Sequence, residues 1–139
     1  MKIKQLVYIF LLALASFQTA RAEVNYSAAS EVNSGRIKGT LVRYIKTFED
    51  DCLEVEVVNA GAKLSVLSSM HLCSFEGKPF STGFAYAGFQ DITFEKDGIH
   101  LTLSITPLEP TGEEVRECVI PIAEGNISDL QCSSARRLN

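Results

Sequence analysis

Apolar and polar residues alternate along most of the chain, and this period of two most strongly constrains the fold. In the segment 52–58, apolar residues alternate with Glu54 and Glu56. In 99–106, four apolar residues alternate with four polar ones, directly after the turn dipeptide Asp97-Gly98. Such alternation is typical of β-strands that bury one face and expose the other.

Seven or eight short strands are predicted in this way, the first over 36–46, and no segment has the period of a helix. Turn signals separate the strands every eight to twelve residues. This spacing predicts an all-β fold. The expected architecture is an antiparallel β-sandwich, in which two sheets pack face to face. The chain has no tryptophan, which excludes an antibody-type domain and leaves a fibronectin-III-like or other Ig-like sandwich.

The first 22 residues have the pattern of a secretory signal peptide. Lys2 and Lys4 precede an apolar run over 6–15, and Ala20-Arg21-Ala22 supplies small residues for cleavage before Glu23. The apolar run is too short for a membrane anchor, which needs about 20 residues. We therefore expect a single mature domain over 23–139 that is secreted or periplasmic.

The mature chain is predicted to be acidic. The leader carries three of the 13 basic residues and none of the 17 acidic ones, so cleavage leaves a net charge of −7. Nucleic acids and anionic membranes are bound through lysine and arginine, so neither is an expected partner. A charged partner should be basic.

All four cysteines, Cys52, Cys73, Cys118 and Cys132, lie in the exported part. An even number of cysteines in an oxidising compartment predicts two disulfides. No C-x-x-C pair occurs, and the spacings do not fit a zinc ribbon or knuckle. The sequence therefore indicates no metal site and no cofactor.

Strand register predicts which cysteines pair. Cys118 and Cys132 lie at equal distances from Gly125, so a hairpin with the three-residue loop 124–126 would place them opposite each other. Cys52 then pairs with Cys73 by elimination, and the off-centre turn between them implies a bulge or a longer loop. Redox-active disulfides usually join cysteines close in sequence at a helix start, so both pairs are interpreted as structural.

The sequence offers little for catalysis. His71 and His100 are the only histidines, and neither belongs to a G-x-S-x-G or H-x-x-x-H motif. We therefore expect that the protein is not an enzyme. The alternative is an enzyme that combines one of the histidines with nearby carboxylates.

Two groups of residues are candidates for binding a partner. The acidic group is interpreted as a solvated strand face, with docking of a basic partner as the alternative; it consists of Glu49, Asp50, Asp51, Glu54 and Glu56. The second group lies in the aromatic, glycine-rich segment 75–89, predicted as a loop with one short strand near 83–87. Most of its aromatic residues are expected in the core, with Lys78 and Phe80 exposed.

In its size, two short disulfide loops and predicted sandwich, the mature chain resembles the small secreted fibronectin-III-like interleukin receptor mimic proteins of pathogenic enterobacteria. The resemblance concerns architecture, includes no short motif and transfers no binding residue. It implies a virulence-associated, non-enzymatic module that binds a host cytokine and forms a homodimer. The alternative is a periplasmic inhibitor of lysozyme, or an immunity protein against a rival hydrolase, although no binding-loop motif of those proteins is present.

Overall fold

The structure is a computed structural model that describes residues 24–61 and 63–138. The predicted signal peptide over 1–22 lies outside the described residues. Within the described part of the chain, no helix is long and apolar enough to cross a membrane.

The described residues form two antiparallel sheets and a short connection between them. A 3-10 turn over Tyr26–Ala28 precedes the first sheet, whose strands are β1 (Ala29–Ile37), β2 (Thr40–Thr47), β3 (Leu53–Val58) and β4 (Val66–Leu72). The connection contains β5 (Ser74–Phe75), β6 (Lys78–Pro79) and the one-turn helix α1 (Phe80–Gly83). The second sheet contains β7 (Phe84–Glu95), β8 (Gly98–Pro107), β9 (Glu113–Ala123), β10 (Asn126–Ile127), β11 (Gln131–Cys132) and β12 (Arg136–Leu138).

The core consists of apolar side chains from the facing sides of the two sheets. The alternation places every second residue of a strand on this side, as predicted. Fully or nearly fully buried members include Val42, Leu53, Val55 and Val57 of the first sheet and Ile99, Leu101, Leu103 and Ile120 of the second. The all-β antiparallel sandwich is thus confirmed, and the described residues include seven strands of six or more residues.

The long strands that are consecutive in the chain are neighbours within each sheet, and the short strands β10, β11 and β12 all pair with β9. The first sheet has the order β1-β2-β3-β4, and β7, β8 and β9 follow one another in the second. The chain therefore passes from one sheet to the other once, whereas the strands of an immunoglobulin-type domain are exchanged between sheets through Greek-key connections.

The predicted strand over 36–46 contains a turn. Lys38 and Gly39 have φ angles of 48° and 83°, the left-handed conformation that a tight two-residue hairpin requires. Ile37 and Thr40 pair across this turn, so β1 lies before it and β2 after it. The prediction missed β1 because most of its side chains are exposed and carry no alternating apolar pattern.

Both predicted disulfides are confirmed. Cys132 lies directly opposite Cys118 across β11 and β9, with Cα atoms 4.1 Å apart. Cys52 pairs with Cys73 at a Cα separation of 4.5 Å. The implied irregularity between these two cysteines is a register shift on β3 at Val57–Val58.

The loop of the C-terminal hairpin is shorter than predicted. Asn126 pairs with Ala123, so the turn contains only Glu124 and Gly125, both with positive φ. This register differs by one residue from that of the cysteines, and the segment 128–130 between β10 and β11 absorbs the extra residue. The cysteine pairing was right although the three-residue loop was wrong.

The predicted turn dipeptide Asp97-Gly98 is also shifted by one residue. Gly98 pairs with Glu95, and the turn consists of Lys96 and Asp97. Gly98 is needed for another reason, because a Cβ atom there would lie 2.2 Å from the carbonyl oxygen of Ile120. A glycine at this point allows β8 and β9 to approach closely.

The segment 75–89 is more ordered than expected. It contains the β5–β6 hairpin, helix α1 and the beginning of the twelve-residue strand β7, in place of a loop with one short strand. Lys78 is exposed as predicted, but Phe80 is only 2% exposed. Its ring lies 5.5 Å, centroid to centroid, from that of Phe89. The expected exposure of Phe80 was wrong because α1 turns the ring into the core.

Candidate functional site

Glu54 and Glu56 project from the outer face of β3, yet both are buried, with 7% and 2% of their surface exposed. The prediction of a solvated strand face is wrong for these two residues. β3 is a central strand, and side chains of β2, β4 and the N-terminal turn cover its outer face.

Glu56 is buried and held in an ion pair. The guanidinium of Arg43 contacts one of its carboxylate oxygens, and the Tyr26 hydroxyl donates to the other at 2.7 Å. Arg43 also donates to the Tyr26 hydroxyl at 2.8 Å. Partial burial and the bond to Glu56 raise the pKa of Tyr26, which keeps the phenol protonated.

Glu54 is paired with a histidine. Its carboxylate oxygen lies 2.7 Å from Nδ1 of His71, which is its cross-strand neighbour on β4. Burial raises the pKa of the Glu54 carboxyl, and the contact with His71 partly opposes this shift. The second ring nitrogen of His71 lies 2.8 Å from Sγ of Cys73. A carboxylate, an imidazole and a disulfide sulfur therefore form a continuous chain of contacts.

These groups lie at a cleft of about 550 Å³ on the outer side of the first sheet, which we call the acidic cleft. Its charged lining consists of Glu49, Asp50 and Glu54, with His71 beside them. Among the described residues, no lysine or arginine lines it. The acidic cleft therefore presents three carboxyl groups to whatever enters it.

Local hydrogen bonds orient two of the three carboxylates in the loop between β2 and β3. Asp50 accepts from the Thr47 hydroxyl at 3.2 Å and from the backbone N–H of Cys52 at 3.0 Å. Glu49 accepts from the Asn25 side-chain amide at 3.1 Å. Thr47 and Cys52 are close in sequence to Asp50, so this turn could have been inferred from the sequence.

One exposed apolar residue lines the acidic cleft, and another adjoins a lining residue in the sequence. Phe48 precedes Glu49 in the β2–β3 loop and is 83% exposed, and Leu67, a residue of the cleft lining, is 61% exposed. The exposure of Phe48 could not be predicted from the sequence, because Phe48 follows the end of β2, where alternation carries no information about exposure.

The structure thus brings together only some of the predicted binding residues. Glu49, Asp50 and Glu54 line one cleft, whereas Asp51 is exposed in the same loop but does not contribute to the lining. Of the rest, Glu56 lies in its ion pair, Phe80 in the core and Lys78 on the β5–β6 hairpin.

One group of potential metal ligands is present in the described residues. Ligand atoms of Asp50, Cys52, His71 and Cys73 all lie within 4.8 Å of one another. Both sulfurs belong to a disulfide, however, and only thiolate sulfur ligates zinc effectively. In the oxidised protein this group therefore offers at most one carboxylate and one imidazole.

The second histidine lies elsewhere. His100 on β8 contacts Asp97 at 2.7 Å, and this contact lowers the pKa of the exposed Asp97 carboxyl. This pair lies at a hairpin turn and contacts neither disulfide. His100 is therefore a matched comparison for His71, which has an equivalent contact with Glu54.

Comparisons with known proteins find no matching family model, no similar curated protein and no similar solved structure. The architectural resemblance to interleukin receptor mimic proteins therefore stays an expectation.

Proposed function

We propose that the mature protein is an exported, non-enzymatic binding module whose acidic cleft receives a basic side chain of a protein partner. The observation that carries this proposal is the lining of the cleft, in which Glu49, Asp50 and Glu54 are unaccompanied by lysine or arginine among the described residues. Arginine and lysine side chains complement such a cleft in charge and in shape.

The groups around the cleft suit recognition of a protein surface. Asp50 and Glu49 are already oriented by hydrogen bonds, so little ordering is needed when a cation binds. Leu67 supplies exposed apolar surface in the lining, and the exposed Phe48 directly precedes Glu49 in the chain. Aromatic side chains are enriched among residues that dominate binding energy. Two disulfides fit an oxidising extracellular or periplasmic compartment.

The negative charge of the cleft favours a basic hydrolase over a cytokine as the partner. A basic hydrolase such as lysozyme presents many cationic side chains, and an inhibitor of such an enzyme needs a matching acidic surface. Binding of a host cytokine is implied by the architectural resemblance. The two partner classes are distinguished by experiment.

The test is retention of lysozyme and of a panel of cytokines by the immobilised, oxidised mature protein at low and high salt. We expect salt-sensitive retention of lysozyme, weakened about tenfold in E49Q/D50N because two of the cleft carboxylates are lost. The matched control D51N/D129N removes two exposed carboxylates outside the lining. Equal weakening by both variants would contradict the cleft as the binding site, and retention of a cytokine alone would select the cytokine class.

A homodimer is part of the same proposal. β1 forms one edge of the first sheet, and its Val32 is 54% exposed, so a second copy has an open edge on which to pair. Light scattering should give twice the mass of the mature chain. V32K should then yield monomers, whereas L108K, which alters another exposed apolar residue, should not. A monomer at all concentrations would rule out the dimer.

A further inference from the structure

The two disulfides differ in their surroundings. Cys118 is 2% exposed, and its partner Cys132 is partly exposed but packs against the core. Cys52 and Cys73 are both partly exposed at the ends of β3 and β4 and do not belong to the core cluster. Cys52 belongs to the lining of the acidic cleft. The sulfur of Cys73 contacts His71, and within the described part of the chain no histidine contacts the other disulfide.

We propose that Cys52–Cys73 is a reactive disulfide that exchanges with thiols entering the acidic cleft, preferentially with thiols that carry a positive charge. The entering thiolate attacks Sγ of Cys52 and forms a new S–S bond with it. The bond between Cys52 and Cys73 breaks, and its electron pair leaves on Sγ of Cys73. The entering sulfur is oxidised to a mixed disulfide while Cys73 is reduced to a thiolate.

His71 is placed to assist the leaving sulfur. Its Nδ1–H donates to Glu54, which directs Nε2 towards Sγ of Cys73 at 2.8 Å. A protonated imidazole satisfies both contacts at once, because each ring nitrogen then carries a hydrogen. A cation beside a sulfur favours the thiolate, and a thiol that ionises readily is displaced faster.

The position of the groups determines which sulfur is attacked. In thiol–disulfide exchange, the entering thiolate approaches one sulfur along the line of the S–S bond and displaces the other sulfur. Cys52 faces the cleft and Cys73 faces His71, which matches this requirement. Glu54, Asp50 and Glu49 are the carboxylates that line the cleft, and all three favour a cationic reagent.

This reactivity goes beyond partner binding and does not depend on it, since a small thiol suffices as the reagent. The exposed position of His71, with 56% of its side chain accessible, also means that it can be substituted without removing core packing. Glu54 is a positioning residue, because it acts on the sulfur only through the imidazole.

The first test treats the oxidised mature protein with cysteamine, alkylates free thiols and maps the modified peptides. We expect cysteamine on Cys52 and the alkyl group on Cys73, with the Cys118–Cys132 bond intact. Reaction first or equally at the other disulfide, or cysteamine attached to Cys73, would overturn the proposal.

The second test measures the rate of this exchange in His71→Gln. We expect a rate about tenfold lower than in the unaltered protein, because the leaving sulfur loses its contact with the imidazole. His100→Gln removes an equivalent histidine–carboxylate contact away from the cysteines and should leave the rate unchanged. Equal rates in the two variants would overturn the role of His71.

The third test compares cysteamine with the neutral reagent 2-mercaptoethanol, each rate being expressed per thiolate. We expect cysteamine to react several-fold faster, with the preference reduced in D50N and abolished at high salt. Equal rates for the two reagents would overturn entry through the acidic cleft. Because no protein partner is present, failure here is distinguishable from failure to bind lysozyme.

Discussion

Glu54 and His71 face each other across β3 and β4, and a carboxylate oxygen of Glu54 lies 2.7 Å from Nδ1 of the imidazole. The acid is buried, but its partner reaches solvent at the acidic cleft. This pair therefore connects the covered face of the first sheet to the surface at which we expect binding and exchange.

The first prediction concerns the pH dependence contributed by Glu54. Burial raises its pKa above the ordinary value of 4.5, so the folded protein favours the protonated acid. The stability of the unaltered protein relative to E54Q should be highest below pH 4.5 and should decrease as the pH rises above it. Urea unfolding from about pH 3 to about pH 7 measures this difference.

The contribution of Glu31 to stability should change with pH in the opposite direction to that of Glu54. Its bonds to Lys46 and Tyr44 lower its pKa below 4.5, so its stabilising contribution is present above that pH and is lost as the pH falls. The stability of the unaltered protein relative to E31Q should therefore increase with pH. Differences of the same sign for E54Q and E31Q would show that one of these pKa directions is wrong.

A second prediction concerns the buried ion pair of Glu56 and Arg43. R43M leaves the Glu56 carboxylate buried without its cation, and should lower the free energy of unfolding by about 3 kcal/mol. The double variant R43M/E56M replaces both charges with apolar groups and should recover to within about 1 kcal/mol of the unaltered protein. Urea unfolding of both variants tests this, and a double variant less stable than R43M would contradict it.

The third prediction concerns the disulfides. Loss of either bond should cost about 3 kcal/mol through the greater freedom of the unfolded chain. C118A/C132A should cost more than C52A/C73A, because Cys118 also fills space in the core. The measurement is again urea unfolding, and a larger loss in C52A/C73A would mean that packing around Cys118 contributes little.

The fourth prediction concerns Gly98. A methyl group at this position would lie against the backbone of β9, which cannot move aside without disturbing the sheet. Gly98→Ala should therefore lower the free energy of unfolding by about 3 kcal/mol. Gly61→Ala, whose Cβ would come no closer than 3.4 Å to a neighbouring atom, should change it by less than about 0.5 kcal/mol. Similar thermal midpoints for the two variants would refute the close approach.

Much of the fold was predictable from local patterns. The alternation of Leu53, Val55 and Val57 identifies the buried side of β3, and the symmetry of Cys118 and Cys132 identifies their register. Turn positions were less predictable, since several dipeptides with similar preferences lie side by side. Asp97-Gly98 resembles a turn, but Lys96-Asp97 forms it.

The burial of Glu54 and Glu56 could not be predicted from the sequence. Whether Glu56 is solvated depends on which strands flank β3 and which side chains cross above it. Arg43 and Tyr26, which provide the cover, are 13 and 30 residues away in the chain. No local pattern predicts such contacts, and the same holds for the approach of His71 to Glu54 across the sheet.

The single passage of the chain between the sheets has a consequence for maturation. Each disulfide joins cysteines that are consecutive in the chain, and each lies within one sheet or at its margin. If the protein is exported from its N-terminus, Cys52 and Cys73 emerge before Cys118. An oxidant that joins cysteines in their order of emergence then forms the native pairs directly, and we expect no need for a disulfide isomerase.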